Sequence, residues 1–212
     1  DTDSISFCKP DQSPFSKEEQ EMLLTEINNM LPEMIRYAHD GYFEKVIVVR
    51  AKNYVLWDGK KLKIKGSALK ATTKSPAMKE MINRFIQSML DGKSDFKEIY
   101  TEYIKEAKAV KDIKRWALRK TISDKTLNSE RTNEIRIREA IEGSENVEGD
   151  RIWVYNRTAT ELVLIDKFDG NYDVSKLVKS CYDTSWVFEN VIDCNEFTNY
   201  SLKKSKPLLE QL

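Results

Sequence analysis

Two carboxylates stand one residue apart in Asp1-Thr2-Asp3-Ser4, a run that leads into the apolar stretch Ile5-Ser6-Phe7. Residues 4–9 read as a strand. Strand side chains alternate with period two, so both acids project to the same face. Carboxylates paired in this way suit a hard divalent ion such as Mg²⁺, which keeps several waters and takes its remaining ligands from phosphates. Two such ions stabilise the attacking and leaving oxygens of a phosphoryl transfer. A solvated acidic terminus is the plainer alternative. Other metal chemistry has little to draw on, because His39 is the single histidine. That excludes multi-histidine centres within the chain and leaves a histidine-dependent triad little support. Cys8, Cys181 and Cys194 lack Cys-x-x-Cys spacing. Thiols that need not pair make a reducing cytoplasm the default compartment.

A second chemical signal lies in the charges, which sum to zero but are segregated. Residues 50–84 carry ten Lys and Arg against two acids, Asp58 and Glu80. Residues 1–49 carry four basic and ten acidic side chains, and residues 141–196 carry five and twelve. A basic block on an otherwise acidic chain is the footprint of a polyanion-binding face. A lysine-rich solvated hairpin has the same composition, so charge alone leaves both readings open.

The elements that must position these residues follow from periodicity. Ser16 is placed to cap a helix whose apolar stripe runs Leu23, Ile27, Met30, Leu31 and Met34, with Pro32 dividing it. The expectation is a long helix over 16–40, its methionines serving packing. Residues 44–57 and 61–66 read as two strands joined at Asp58-Gly59, a hairpin signal, and this hairpin carries the basic block. Ser75-Pro76 opens a helix over 78–90, Asp91-Gly92 separates it from a second over 96–110, and a third covers 132–142. Arg151–Tyr155 and Glu161–Ile165 read as a further hairpin, and residues 174–191 as mainly helical. The fold class is α+β. The apolar run Val46-Ile47-Val48-Val49 is far too short to span a bilayer, so no membrane is expected.

Several runs of the chain resemble, in order, the family B DNA polymerases, and some of them the T-even bacteriophage type. Asp1-Thr2-Asp3-Ser4 is the core of the Tyr-Gly-Asp-Thr-Asp-Ser palm motif. Arg50-Ala51-Lys52-Asn53-Tyr54 resembles the Lys-Lys-Arg-Tyr element that holds primer–template duplex, matching at Lys52 and Tyr54 and departing at Ala51 and Asn53. Leu62-Lys63-Ile64-Lys65-Gly66 with Thr72-Thr73-Lys74-Ser75-Pro76 resembles the palm-to-thumb junction. Leu118-Arg119-Lys120-Thr121-Ile122-Ser123 is similar to a thumb segment, and Trp186–Ile192 with Phe197-Thr198 to the phage-type end.

The resemblance implies a partial palm over 1–74, a thumb over 75–200 and a tail over 201–212. It implies two-metal transfer of a deoxynucleotide to a primer 3′-hydroxyl, with two Mg²⁺ ions. Asp3 matches the aspartate that contacts both metals, Asp1 its neighbour, and Glu44 an acidic position near the site. Lys52, Asn53 and Tyr54 would meet the duplex; Lys65, Gly66, Lys70, Lys74, Lys120 and Lys125 are further DNA-contact candidates. Leu208, Leu209 and Leu212 occupy the position of a sliding-clamp-binding peptide, without the aromatic anchor such peptides carry. The partners implied are primer–template DNA, a deoxynucleoside triphosphate and a missing N-terminal polymerase portion, since the second palm aspartate and the fingers helix have no counterpart here. On this reading the chain is a carboxy-terminal portion, inactive alone. The alternative is a non-catalytic DNA-binding or interaction module that keeps the palm–thumb fold.

Overall fold

The computed structural model describes residues 5–195 and 197. Residues 5–9 form no strand, which corrects the first expectation. A strand needs a neighbour to take up its N–H and C=O groups, and none of the described strands pairs with this segment. Ile5 and Phe7 are instead about half exposed, at 55% and 54%. Phe7 meets Phe15 edge to face at 6.0 Å.

Helix α1 spans Lys17–Asn29 and begins as the sequence indicates. Ser16 Oγ accepts from the Glu19 N–H, and the Glu19 carboxylate accepts from the Ser16 N–H at 2.7 Å, a reciprocal capping box. The helix ends well before residue 40. Pro32 biases Leu31 away from helical geometry. No residue of α1 is buried, and Met30 and Met34 are 81% and 95% exposed. The expected packing role of these methionines is therefore not seen among the described residues.

Three antiparallel strands follow: β1 (Lys45–Arg50), β2 (Asn53–Trp57) and β3 (Leu62–Lys65), in the order β1-β2-β3. The stretch read as one strand over 44–57 is thus two, folded back at Ala51-Lys52. Lys52 takes φ +61° there. The positive-φ position of such turns usually carries Asn or Gly, and here it carries Lys. The Asp58-Gly59 turn is where the sequence places it. Asp58 Oδ1 accepts from the N–H groups of Lys60 and Lys61 at 2.9 and 2.7 Å, which holds its carboxyl below the usual range. A short helix, α2 (Ser67–Lys70), packs beside β2 and β3.

The rest is mainly helical. Helix α3 covers Pro76–Leu90, α4 Phe96–Lys108 and α5 Ile113–Trp116. Strand β4 (Leu118–Thr121) leads to α6 (Asp124–Asn128) and α7 (Thr132–Ile141). Strands β5 (Arg151–Asn156) and β6 (Leu162–Leu164) complete a second antiparallel sheet in the order β4-β5-β6, and α8 spans Val174–Ser185. Ser75 caps α3, with Pro76 at its first turn.

One large core joins these parts. Met78, Met81, Ile82, Phe85 and Ile86 of α3 are fully buried against Tyr100, Tyr103 and Ile104 of α4, Cys181 of α8, and Phe188. Phe85 sits at its centre, edge to face with Phe96 at 5.8 Å and Phe188 at 5.3 Å. Val49 and Val55 of the first sheet enter the same core, so strands before residue 74 and helices after it share their packing. A smaller core lies between α7 and the second sheet, built from Ile122, Ile137, Ala140, Ile152, Val154 and Leu164.

Candidate nucleic-acid interface

The first sheet has two unlike faces, and strand register separates them. Ile47, Val55 and Ile64 are direct partners across the three strands and face the core. Val48, Tyr54 and Lys65 form the adjoining row, and Val46, Leu56 and Lys63 the next. Side chains alternate, so both rows lie on the opposite, outward face. Lys63 is exposed there, with Lys65 and Tyr54 half-buried. The Lys63 ammonium stands 6.0 Å from the centroid of the Phe43 ring. The outward face therefore combines an aromatic, two exposed valines and two lysines around Leu56, which is itself buried at 8% exposure. Tyr54 and Lys65, which the sequence nominates separately, are brought directly opposite one another.

Lys52 belongs to this sheet differently from the expectation. It does not lie within one continuous strand over 44–57 but occupies the β1–β2 turn, exposed, at the sheet end shared with Lys65 and Gly66. What fixes that turn is Asn53, which is buried at 7% exposure. Its Nδ2 donates to the Ala51 carbonyl at 2.9 Å and its Oδ1 accepts from the Ala68 N–H at 3.0 Å. The Asn53 amide is thus engaged inside the protein, positioning Lys52. Gly66 completes the arrangement at φ +98°: a Cβ there would collide with the Lys52 carbonyl oxygen and Asn53 Oδ1. Both residues shape the turn.

The remaining lysines divide by environment. Lys70 is exposed at the end of α2. Lys74 is half-buried and its Nζ donates to Thr184 Oγ1 at 2.9 Å, tying the entry of α3 to α8. Burial lowers its pKa, against the nearby Asp183 carboxylate, which raises it. Lys74 accordingly braces the core. Lys120 lies on β4 directly opposite Ile152, on the face that carries the smaller core, and Lys125 is exposed on α6.

Asp1 and Asp3 lie outside the described residues, as do Leu208, Leu209 and Leu212. Glu44 precedes β1 and lies against the Asp58-Gly59 turn, where a Cβ at Gly59 would collide with its Oε1. Among the described residues no group of three or more His, Cys, Asp or Glu side chains is placed to hold a metal ion. They do not by themselves fit a Mg²⁺ centre.

Sequence reasoning placed Lys63, with Lys60, Lys61 and Lys65, among the hairpin cations able to reach a phosphate backbone, but did not single out Arg119, Arg151 and Trp153 on the second sheet. For the last two the signal was the Arg151-x-Trp153 alternation, which in a strand puts both on one face.

No family model matches the chain, and no curated protein matches it by sequence. Among solved structures, it is similar to the family B DNA polymerase of the hyperthermophilic archaeon Pyrobaculum calidifontis, with a TM-score of 0.60 at 17% identity. The likeness covers 84% of this chain but 25% of the archaeal one, so the chain spans about a quarter of that polymerase. Among the described residues no helix is long and apolar enough to cross a membrane. The likeness is one of fold: an α+β arrangement also present in a family B DNA polymerase.

Proposed function

We propose that the chain is the palm-edge and thumb portion of a family B DNA-directed DNA polymerase, and that it grips primer–template duplex. The observation that carries the reading is the outward face of the first sheet, where Tyr54 and Lys65 pair directly beside Lys63 and the Lys52 turn. That face lies in a fold shared with part of a polymerase. Long cations on a sheet face reach phosphates, and backbone contact of this kind carries no sequence information, as a copying enzyme requires. Asn53 and Gly66 act by holding the turn. Nucleotidyl transfer is assigned in this proposal to Asp1 and Asp3 with Mg²⁺, on the motif resemblance, with deoxynucleoside triphosphate and the remainder of the polymerase as partners.

The duplex grip is tested by fluorescence anisotropy of a labelled DNA hairpin over a salt series. Each of Lys52→Ala, Lys63→Ala and Lys65→Ala is expected to flatten the log–log salt dependence by about 0.9. Tyr54→Ala is expected to weaken binding with little change in that slope. Unchanged slopes in all three lysine variants would remove the first sheet from the interface.

A further inference from the structure

The second sheet also has two faces. One carries the smaller core through Ile152, Val154 and Leu164. On the other, Tyr155 and Val163 are covered by Ile113 and Ala117, from α5 and the residue just after it. That cover stops short of the sheet's far end. There Arg119 is the direct partner of Trp153, and Thr121 that of Arg151. Alternation puts all four side chains on the open face. Arg119, Thr121 and Arg151 are exposed, and Trp153 is half-buried, packed at the margin of the apolar cluster. Neither guanidinium has a hydrogen bond or ion pair with the described residues. Asp166 lines the same shallow depression as Arg151 and Trp153 without pairing with either arginine.

We propose that this end of the second sheet binds single-stranded DNA, with one unstacked base lying on the Trp153 indole and the flanking phosphates held by Arg119 and Arg151. Every base presents a π-face, so a partly exposed indole between cations is a sequence-tolerant platform. Guanidinium forks match phosphate oxygens and are weakly hydrated, which suits them to this task. Duplex DNA would engage the arginines but leave Trp153 without a partner, because its bases are already stacked. An acidic peptide would likewise gain little from the indole. The inference extends the DNA-handling reading above but rests on residues outside the first sheet, so each can fail without the other.

The test uses the full chain with a fluorescein-labelled twelve-residue thymidine oligonucleotide and, in parallel, a labelled blunt DNA hairpin closed by a glycol linker, which offers no unpaired base. Trp153→Leu keeps apolar bulk against the cluster while removing the stacking surface. It is expected to weaken oligonucleotide binding about tenfold or more. Hairpin binding and the thermal midpoint should stay unchanged. Arg119→Gln with Arg151→Gln should flatten the salt dependence for the oligonucleotide by about 1.4, at about 0.7 per single-strand phosphate. Oligonucleotide affinity within twofold of the parent in Trp153→Leu would overturn the proposal. So would equal losses for oligonucleotide and hairpin, or displacement of the oligonucleotide by polyglutamate at matched charge. Loss of hairpin binding confined to Lys63→Ala and Lys65→Ala would concern the first sheet alone.

Discussion

Asn53 sits in a run that resembles a duplex-holding element and Gly66 in one that resembles the palm-to-thumb junction, yet their surroundings give both a structural task. At φ +98° any side chain is strained, and here the added carbon would meet a backbone carbonyl, which cannot swing aside as a flexible side chain does. Strain of this kind costs about 1–3 kcal/mol, before any shift of the Lys52 turn is counted. Gly66→Ala should therefore lower the urea midpoint by an amount equivalent to at least about 2 kcal/mol. Asn53→Ala strips a partner from the Ala68 N–H and from the Ala51 carbonyl. Its expected cost is about 1–3 kcal/mol in the same measurement. Duplex affinity, measured where the variant is still folded, should fall less than stability does. Loss of affinity with the urea midpoint unmoved would instead make Asn53 a direct contact. Sequence alone did not separate these roles, because the resemblance nominates residues by position, while one of the two hydrogen bonds that occupy Asn53 comes from α2, fifteen residues away.

Elements differ in how far they depend on their neighbours. Helix α1 buries no residue and is held at its start by the Ser16–Glu19 box, so its stability is local. Ser16→Ala should destabilise it by about 1 kcal/mol. Hydrogen exchange should therefore accelerate across 17–29 while the global thermal midpoint stays put. Helix α3 is the opposite case: Phe85→Ala opens a cavity at the meeting point of α3, α4, Phe188 and Phe197. The expected global loss is about 3–5 kcal/mol. A global midpoint that fell with Ser16→Ala would show that α1 packs on something the described contacts omit. The same contrast explains what was legible in the sequence. The stripes Met78–Met81–Ile82–Phe85 and Ile99–Tyr103–Ile104 announced α3 and α4 because burial and helical period coincide there. The stripe Leu23–Ile27–Met30–Leu31–Met34 had the same period, but among the described residues it is covered only in part, with Met30 and Met34 exposed, and the helix stopped at Asn29. Strand β4 went unrecognised because four residues, two of them cationic, give no alternation worth reading until β5 pairs with them. The Ala51-Lys52 turn was hidden for a similar reason. A non-glycine residue at positive φ is set by tertiary bonds that sequence does not display.

Across the whole molecule, the main core closes when distant segments meet: Lys74 reaches Thr184, and Asn190 Nδ2 donates to the Val49 carbonyl at 3.2 Å. Cys181 and Cys194 lie at this closure, both buried, whereas Cys8 is exposed. Burial pushes the Cys181 thiol up to about 12 and the Cys194 thiol up to about 11, because a thiolate cannot be solvated there. In the unfolded chain a cysteine ionises near about 8.5. The folded state therefore holds its thiol protons more tightly than the unfolded state. Stability from this source is complete below about pH 8.5 and is lost as pH rises toward the folded values. For Cys181 alone the loss by pH 10 amounts to about 2 kcal/mol. Lys74 works in the opposite sense, since burial depresses its folded pKa and alkali relieves the cost of its charge. Urea titrations between pH 7.5 and 10 should show stability falling. In a Cys181→Ala, Cys194→Ala double variant the curve should be flatter over the same interval, from a lower starting value set by the lost side-chain packing. A thiol reagent at pH 7.5 should label Cys8 at once and the other two only on unfolding. Equal slopes for parent and double variant would show that these thiols are not what closes the core against alkali, and rapid labelling of Cys181 would show that α8 opens from the α3–α4 core without global unfolding.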